Sequence, residues 1–240
     1  AQVDEIKAVL PKWFATMTKY PVEVKAVPEY SEDSAPTGYY DPPAKDGSRP
    51  GVYWINVRDT AVHPRFALPT LTYHEAIPGH HLHFATAVEQ DLPPLLPAIW
   101  SNASGEGWAL YAELLAAEMG MYDGDPYGDL GRLQAELHRA VRLVVDTGMH
   151  AKKWSREQAI EYMVGVEGLD EATATSEIER YAVWPAQALG YKLGQLRILA
   201  LREEAEQALG DAFDIRDFNQ QVLNVASAPL PFIEDSIRHW

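Results

Sequence analysis

Residues 73–84 read YHEAIPGHHLHF, and the Pro78-Gly79 pair at their centre constrains the chain more than any other feature. A proline inside a helix cannot donate to the carbonyl four residues back, and its ring clashes with that carbonyl, here His74's. The glycine that follows accepts almost any backbone conformation. The stretch holds four of the eight histidines, with Glu75 directly after the first. His-Glu-x-x-His on a helix binds zinc because residues i and i+4 share a face and the glutamate lies beside the metal. Here the i+4 place is Pro78. In a regular helix His74 and His80 point to different sides. His81 shares a face with His74 but lies about 10 Å along the axis, too far for one ion. A bulge that absorbs two residues would put His80 in the place of the i+4 ligand. Two readings stay open on spacing alone, a distorted metal site and a polar histidine-rich turn. On either, His81 and His83 read as supporting or packing residues.

The bulk numbers narrow the chemistry. A chain of 240 residues, 47% hydrophobic, can bury a sizeable core. A formal net charge of -15 argues against nucleic acid or an anionic membrane as partner. With no cysteine, a disulfide framework and a thiolate nucleophile are excluded, and any metal must sit on nitrogen and oxygen. No run approaches the roughly 20 apolar residues of a membrane span. The chain opens AQVDEIK, without an initiator Met or a signal-peptide pattern, as expected of a processed form or a portion of something longer. The compartment stays open between periplasmic or secreted and cytoplasmic.

Periodicity predicts a mainly α fold with a small antiparallel sheet, as one domain over 1–240. The β-region covers about 22–58 and the helical region about 68–240. Residues 2–18 have helical spacing weakened by Pro11. VEVKAV alternates like a strand, and GYYDPP and GVYWINV flank the turn-rich AKDGSRP. DLPPLLP at 91–97 is a connector, and a helix follows over 99–120. Asp125-Pro126 opens a long helix whose apolar stripe is Leu133, Leu137, Val141, Val144 and Val145. Ser155 with Gln158 matches a capping box. Further helices cover 171–182 and 185–209, and two short ones close the chain.

SGEGWALYAE puts Glu106 and Glu113 seven residues apart, on one helical face. A carboxylate on so apolar a segment is costly unless paired or metal-bound. Glu106 is a candidate third ligand and Glu113 a candidate for orienting a ligand imidazole. The alternative for Glu113 is a solvent-facing side chain.

Together TGYYDPPAKDGSRPGVYWINV, YHEAIPGHHLH, EGWALYAE, RAVRLVVDTGMHAKKWSREQAI and EIERYAVWPAQALGYKLGQL resemble the bacterial domain of unknown function family 885 over nearly the whole chain. The resemblance implies that full-length members are more than twice this long, with these motifs in the C-terminal half. The family's motif is similar to that of zinc metallopeptidases with a glutamate third ligand, such as thimet oligopeptidase and angiotensin-converting enzyme. Read as their motif with two residues inserted, it makes His74, His80 and Glu106 the metal ligands and Glu75 the base. His83 stands where the resemblance implies glutamine.

Such peptidases also stabilise the oxyanion with a tyrosine or histidine from a later helix, for which Tyr191 and His150 are the candidates. Arg180 and Tyr181 are candidate substrate-binding residues, and His81 and Asp146 join Glu113 as candidates for supporting the ligands. The plainer roles are Arg180 pairing with Glu177 or Asp146, Tyr191 in the core, and Arg139, Arg142 and Asp146 as one salt-bridge network.

The expectation is a zinc-dependent hydrolase of zincin-like helical architecture, using Zn2+ and acting on a peptide substrate. An N-terminal portion would complete it. Two alternatives stand beside it: a ferrous-iron metalloenzyme on the same ligands, and a catalytically silent binding or structural module.

Overall fold

The computed structural model of the chain describes residues 2–58, 64–90, 92–93, 95–96 and 99–240. The described part is mainly helical with one three-stranded sheet. Residues 91, 94 and 97 of the expected connector lie outside the described residues. The first helix, α1 (Gln2–Lys7), stops well before Pro11, and a 3-10 turn at Leu10–Lys12 takes its place. The missing N–H of Pro11 is harmless at the start of that turn.

The strands are β1 (Val22–Ala26), β2 (Gly38–Asp41) and β3 (Gly51–Ile55), in the order β1-β3-β2. The β2–β3 pair is antiparallel, as the turn-rich AKDGSRP between them predicts. The β1–β3 pair is parallel, so the expected antiparallel sheet is in fact mixed. A parallel pair needs a crossover of a dozen or more residues, and residues 27–50 supply it while carrying β2 within them. Central β3 buries Val52 and Tyr53.

The helices that follow are α2 (Leu68–Glu75), α3 (His80–Glu89), α4 (Asn102–Glu118) and α5 (Pro126–Lys152). Then come α6 (Arg156–Glu167), α7 (Glu171–Val183), α8 (Gly190–Leu209), α9 (Ile215–Leu223) and α10 (Leu230–Arg238). Local chemistry sets several boundaries. Asp125 caps α5 by accepting from the Gly128 N–H, with Pro126 in the first turn. Ser155 and Gln158 form the reciprocal capping box of α6.

Two apolar clusters hold the helices. The larger gathers Ile6, Tyr73, Leu82, Trp108, Tyr111, Leu115, Ile198, Phe218 and Ile233 from α1–α4 and α8–α10. The smaller joins Val141 and Val145 of α5 to Ile160, Met163, Ile178 and Tyr181 of α6 and α7. The expected stripe on α5 is thereby divided. Val141 and Val145 are buried, whereas Leu133, Leu137 and Val144 are exposed, because α6 and α7 cover one flank of the helix only. Helix α4 is buried nearly all round and lies closest to α8. A Cβ on Gly107 would meet the Gly194 backbone at 2.5 Å, so only the glycine pair permits this approach. That contact carries the first turn of α8 to the site.

Candidate metal centre

The α2–α3 junction is where Pro78-Gly79 acts. Helix α2 ends at Glu75, and α3 begins at His80. The Gly79 N–H donates to the Tyr73 carbonyl, six residues back, at 3.0 Å. A helix closes four residues back, so the bulge absorbs two residues, and His80 follows His74 as an i+4 residue would. The Ile77-Pro78 peptide bond is cis. A Cβ on Gly79 would fall 1.8 Å from the His74 carbonyl oxygen, which restricts the position to glycine. The Trp108 indole N–H donates to the Pro78 carbonyl at 3.0 Å, tying the bulge to α4 two residues beyond Glu106.

The rings of His74 and His80 lie 4.8 Å apart and nearly perpendicular. Glu106 Oε2 stands 3.4 Å from His74 Nε2 and 3.3 Å from His80 Nε2. One donor atom from each of the three residues lies within 4.8 Å of the others. None of these approaches has hydrogen-bond geometry: Glu106 Oε2 and His80 Nδ1 are buried without a partner. Two donors bound at 2.0–2.2 Å to one tetrahedral zinc stand about 3.3–3.5 Å apart. The orphaned oxygen and its two approaches to imidazole nitrogen therefore fit a metal ion on His74, His80 and Glu106.

Glu113 completes the support. Its Oε1 takes the Nδ1–H of His74 at 2.7 Å, and its Oε2 accepts the Thr70 hydroxyl. This leaves His74 Nε2 as the nitrogen that faces Glu106 and could bind a metal. Burial disfavours charge on His74, but Glu106, Glu113 and Glu75 outweigh it and push its pKa up to about 10. Burial likewise opposes ionisation of Glu106, and the two imidazoles hold its carboxyl far below the usual range.

His74, His80 and Glu106 line a cleft of about 890 Å³ that also contains Glu75, Tyr40, Phe84, Arg139, Arg142, Arg180 and Tyr191. A larger cavity, about 1150 Å³, lies between α1, the sheet and the start of α2, and none of the described histidines lines it. The convergent chemistry is in the smaller one.

The other candidate residues separate. Tyr191 reaches the cleft rather than the core. Its ring lies 6.3 Å from that of His74, nearly parallel to it, with the Arg142 guanidinium 4.7 Å from its centroid. His150 does not reach the cleft; it is exposed near the end of α5, and its Nε2 meets the Tyr181 carbonyl at 3.0 Å. Asp146, one helical turn earlier, is also remote from the cluster. It accepts the Ala186 N–H at 3.0 Å, where it fixes the turn into α8, so the expected Arg139–Arg142–Asp146 network does not form. Arg142 instead donates to the Tyr181 hydroxyl and to Glu177.

Tyr181 is buried behind the cleft wall in that network, because its hydroxyl is taken up by Glu177 and Arg142. Arg180 lines the cleft and pairs with Glu177 and Gln187. His81 supports the sheet instead of the ligands. It bridges the Tyr40 hydroxyl and the Tyr20 carbonyl, and burial lowers its pKa to about 4. His83 packs among Phe84 and Trp108 and is likewise kept neutral by burial.

Sequence reasoning passed over the aromatic rim of Tyr39, Tyr40, Phe84, Trp100 and Trp184, and over His138. His138 Nδ1 meets Glu167 at 2.7 Å, and its Nε2 lies 3.7 Å from Glu177. These residues come from five separate segments, and no local spacing joins them.

Comparison with other proteins gives a family and a fold. The model of a family of bacterial proteins of unknown function, DUF885, matches residues 1–237. A solved structure from Colwellia psychrerythraea, described as that of a candidate lipoprotein, is 53% identical with a TM-score of 0.95, covering 100% of this chain and 41% of that one. Another, from Shewanella oneidensis, is described as a candidate lipoprotein of unknown function. It is similar in fold at 24% identity and a TM-score of 0.81, over 98% of this chain and 45% of that one. The chain spans less than half the length of either. No curated protein matches.

Proposed function

We propose that the chain, which belongs to DUF885, a family whose description names no activity, is a zinc-dependent hydrolase acting on peptides. The observation that carries this reading is Glu106 Oε2, buried without a hydrogen bond and 3.3–3.4 Å from two imidazole nitrogens. On this reading the bulged α2–α3 pair takes the part of the zincin active-site helix, and α4 supplies the third ligand.

His74, His80 and Glu106 would hold the ion. When bound, zinc acidifies water and polarises a carbonyl. Glu75, at the end of α2 and lining the same cleft, would take a proton from the attacking water and pass it to the leaving amine. Tyr191, beside His74, would offer its hydroxyl to the oxygen on which negative charge develops. The Colwellia relative's description as a candidate lipoprotein is in keeping with action outside the cytoplasm.

The same donor set suits ferrous iron, and the adjacent Glu75 is what favours hydrolysis. Elemental analysis with peptide-cleavage assays separates the readings. Stoichiometric zinc is expected, retained in Glu75→Gln with hydrolysis lost, and lost in His80→Ala. Full peptide hydrolysis by Glu75→Gln would remove the general base, and oxygen-dependent turnover with iron would establish the other chemistry.

A further inference from the structure

Three arginines line the cleft, and their hydrogen bonds distinguish them. Arg142 donates from Nε to the Tyr181 hydroxyl at 2.9 Å and from Nη2 to Glu177 at 3.0 Å. Arg180 is divided between Glu177, 3.4 Å away, and the Gln187 side chain at 2.7 Å. Glu177 thus answers both. Arg139 makes no ion pair among the described residues, and its one hydrogen bond there runs from Nη1 to the Ala135 carbonyl. Its Nε is buried with no acceptor at all. A buried donor on a charged group left without an acceptor is costly, and a carboxylate is the acceptor whose two oxygens match the planar guanidinium fork.

The position of this cation is informative. The Arg139 guanidinium lies 5.8 Å from the centroid of the Tyr191 ring, which in turn lies 6.3 Å from the His74 ring. Extended peptide advances about 3.3–3.6 Å per residue, so a group held at Arg139 is at most a few residues from one held at the metal cluster. We infer that Arg139 docks the free C-terminal carboxylate of a short peptide, so that the cleft takes chain ends in preference to chain interiors. This deepens the hydrolase reading above and rests on it for the reaction. It also moves the substrate-binding role expected of Arg180 to Arg139.

The test reads binding rather than turnover. Trp100 and Trp184 line the cleft, so intrinsic fluorescence reports occupancy. In a Glu75→Gln background, which blocks cleavage, N-acetyl-alanyl-alanine and its C-terminal amide are titrated separately. The free acid is expected to bind at least tenfold more tightly than the amide. Arg139→Gln should erase the difference, and Arg139→Lys should retain part of it. Equal affinities for acid and amide, a difference that survives Arg139→Gln, or no binding of either peptide overturns the inference. Should Arg139→Gln fail to fold, the acid-to-amide ratio of the parent protein and the Arg139→Lys variant still decide. Hydrolysis of peptides without acid preference would sink the carboxylate site and leave the hydrolase standing, while acid preference without hydrolysis would do the reverse.

Discussion

Glu113 holds His74 by its Nδ1 at 2.7 Å from a different helix, and both side chains are buried. The carboxylate sets which nitrogen of the imidazole faces the cluster, and its second oxygen is in turn held by Thr70. Removing such a support typically costs 10–100-fold in metal affinity. Glu113→Ala is therefore expected to weaken zinc binding by about that factor, measured by competition with a chromophoric chelator. Undiminished affinity would mean that His74 is oriented without it.

The bulge should be as demanding as the ligands. In Gly79→Ala the new methyl meets the His74 carbonyl oxygen, a backbone atom that cannot swing aside. The expected loss is on the order of 3 kcal/mol, a Tm lower by roughly 6–12 °C, together with weakened zinc binding. A variant with parental Tm and zinc content would show that the junction relaxes freely.

Trp108 connects the bulge to the helix that carries Glu106. Trp108→Phe keeps most of the buried ring but removes the donor to the Pro78 carbonyl. Thermal unfolding should register a loss of about 1–2 kcal/mol. Zinc affinity should fall by less than in Glu113→Ala, because no ligand loses its own partner.

Glu177 makes part of the stability depend on pH. Burial opposes its ionisation, but Arg142, the Tyr181 hydroxyl and Arg180 hold its pKa down at about 2, against an ordinary 4.5. A carboxylate depressed on folding contributes stability that is complete above the unfolded pKa and is lost as pH falls through the folded one. The stability gap between the parent protein and Glu177→Gln, both kept metal-free with chelator, should be on the order of 2–3 kcal/mol near pH 7. It should close between about pH 4.5 and 2. A gap independent of pH would show that the side chain acts by shape alone.

Much of this was legible along the chain. Caps, turn residues and helical spacing placed α5, α6 and α7 because each depends on neighbours within one or two turns. The pairing of Glu106 with Glu113 on one face followed from helix geometry, and the structure puts one at the cluster and the other behind His74. His150 and Asp146 misled because they lie on α5, which supplies Arg139 and Arg142 to the cleft, and position along a helix does not reveal which of its turns meets the cavity. The parallel β1–β3 pairing was hidden because it joins segments separated by the whole of β2.

The sequence by itself determined the mainly helical character, the absence of thiol chemistry and the break at Pro78-Gly79, since these follow from residue type and local backbone sterics. It left open how many residues the break absorbs. The tertiary structure decided that number as two, through the hydrogen bond from Gly79 to Tyr73 and the anchoring of Pro78 by Trp108. It also decided which cleft arginine has no ion pair among the described residues, because Glu177 reaches Arg180 on its own helix and, through packing, Arg142 on α5, but not Arg139. Convergence of charged groups is a property of how helices pack against one another, and no local spacing in the chain encodes it.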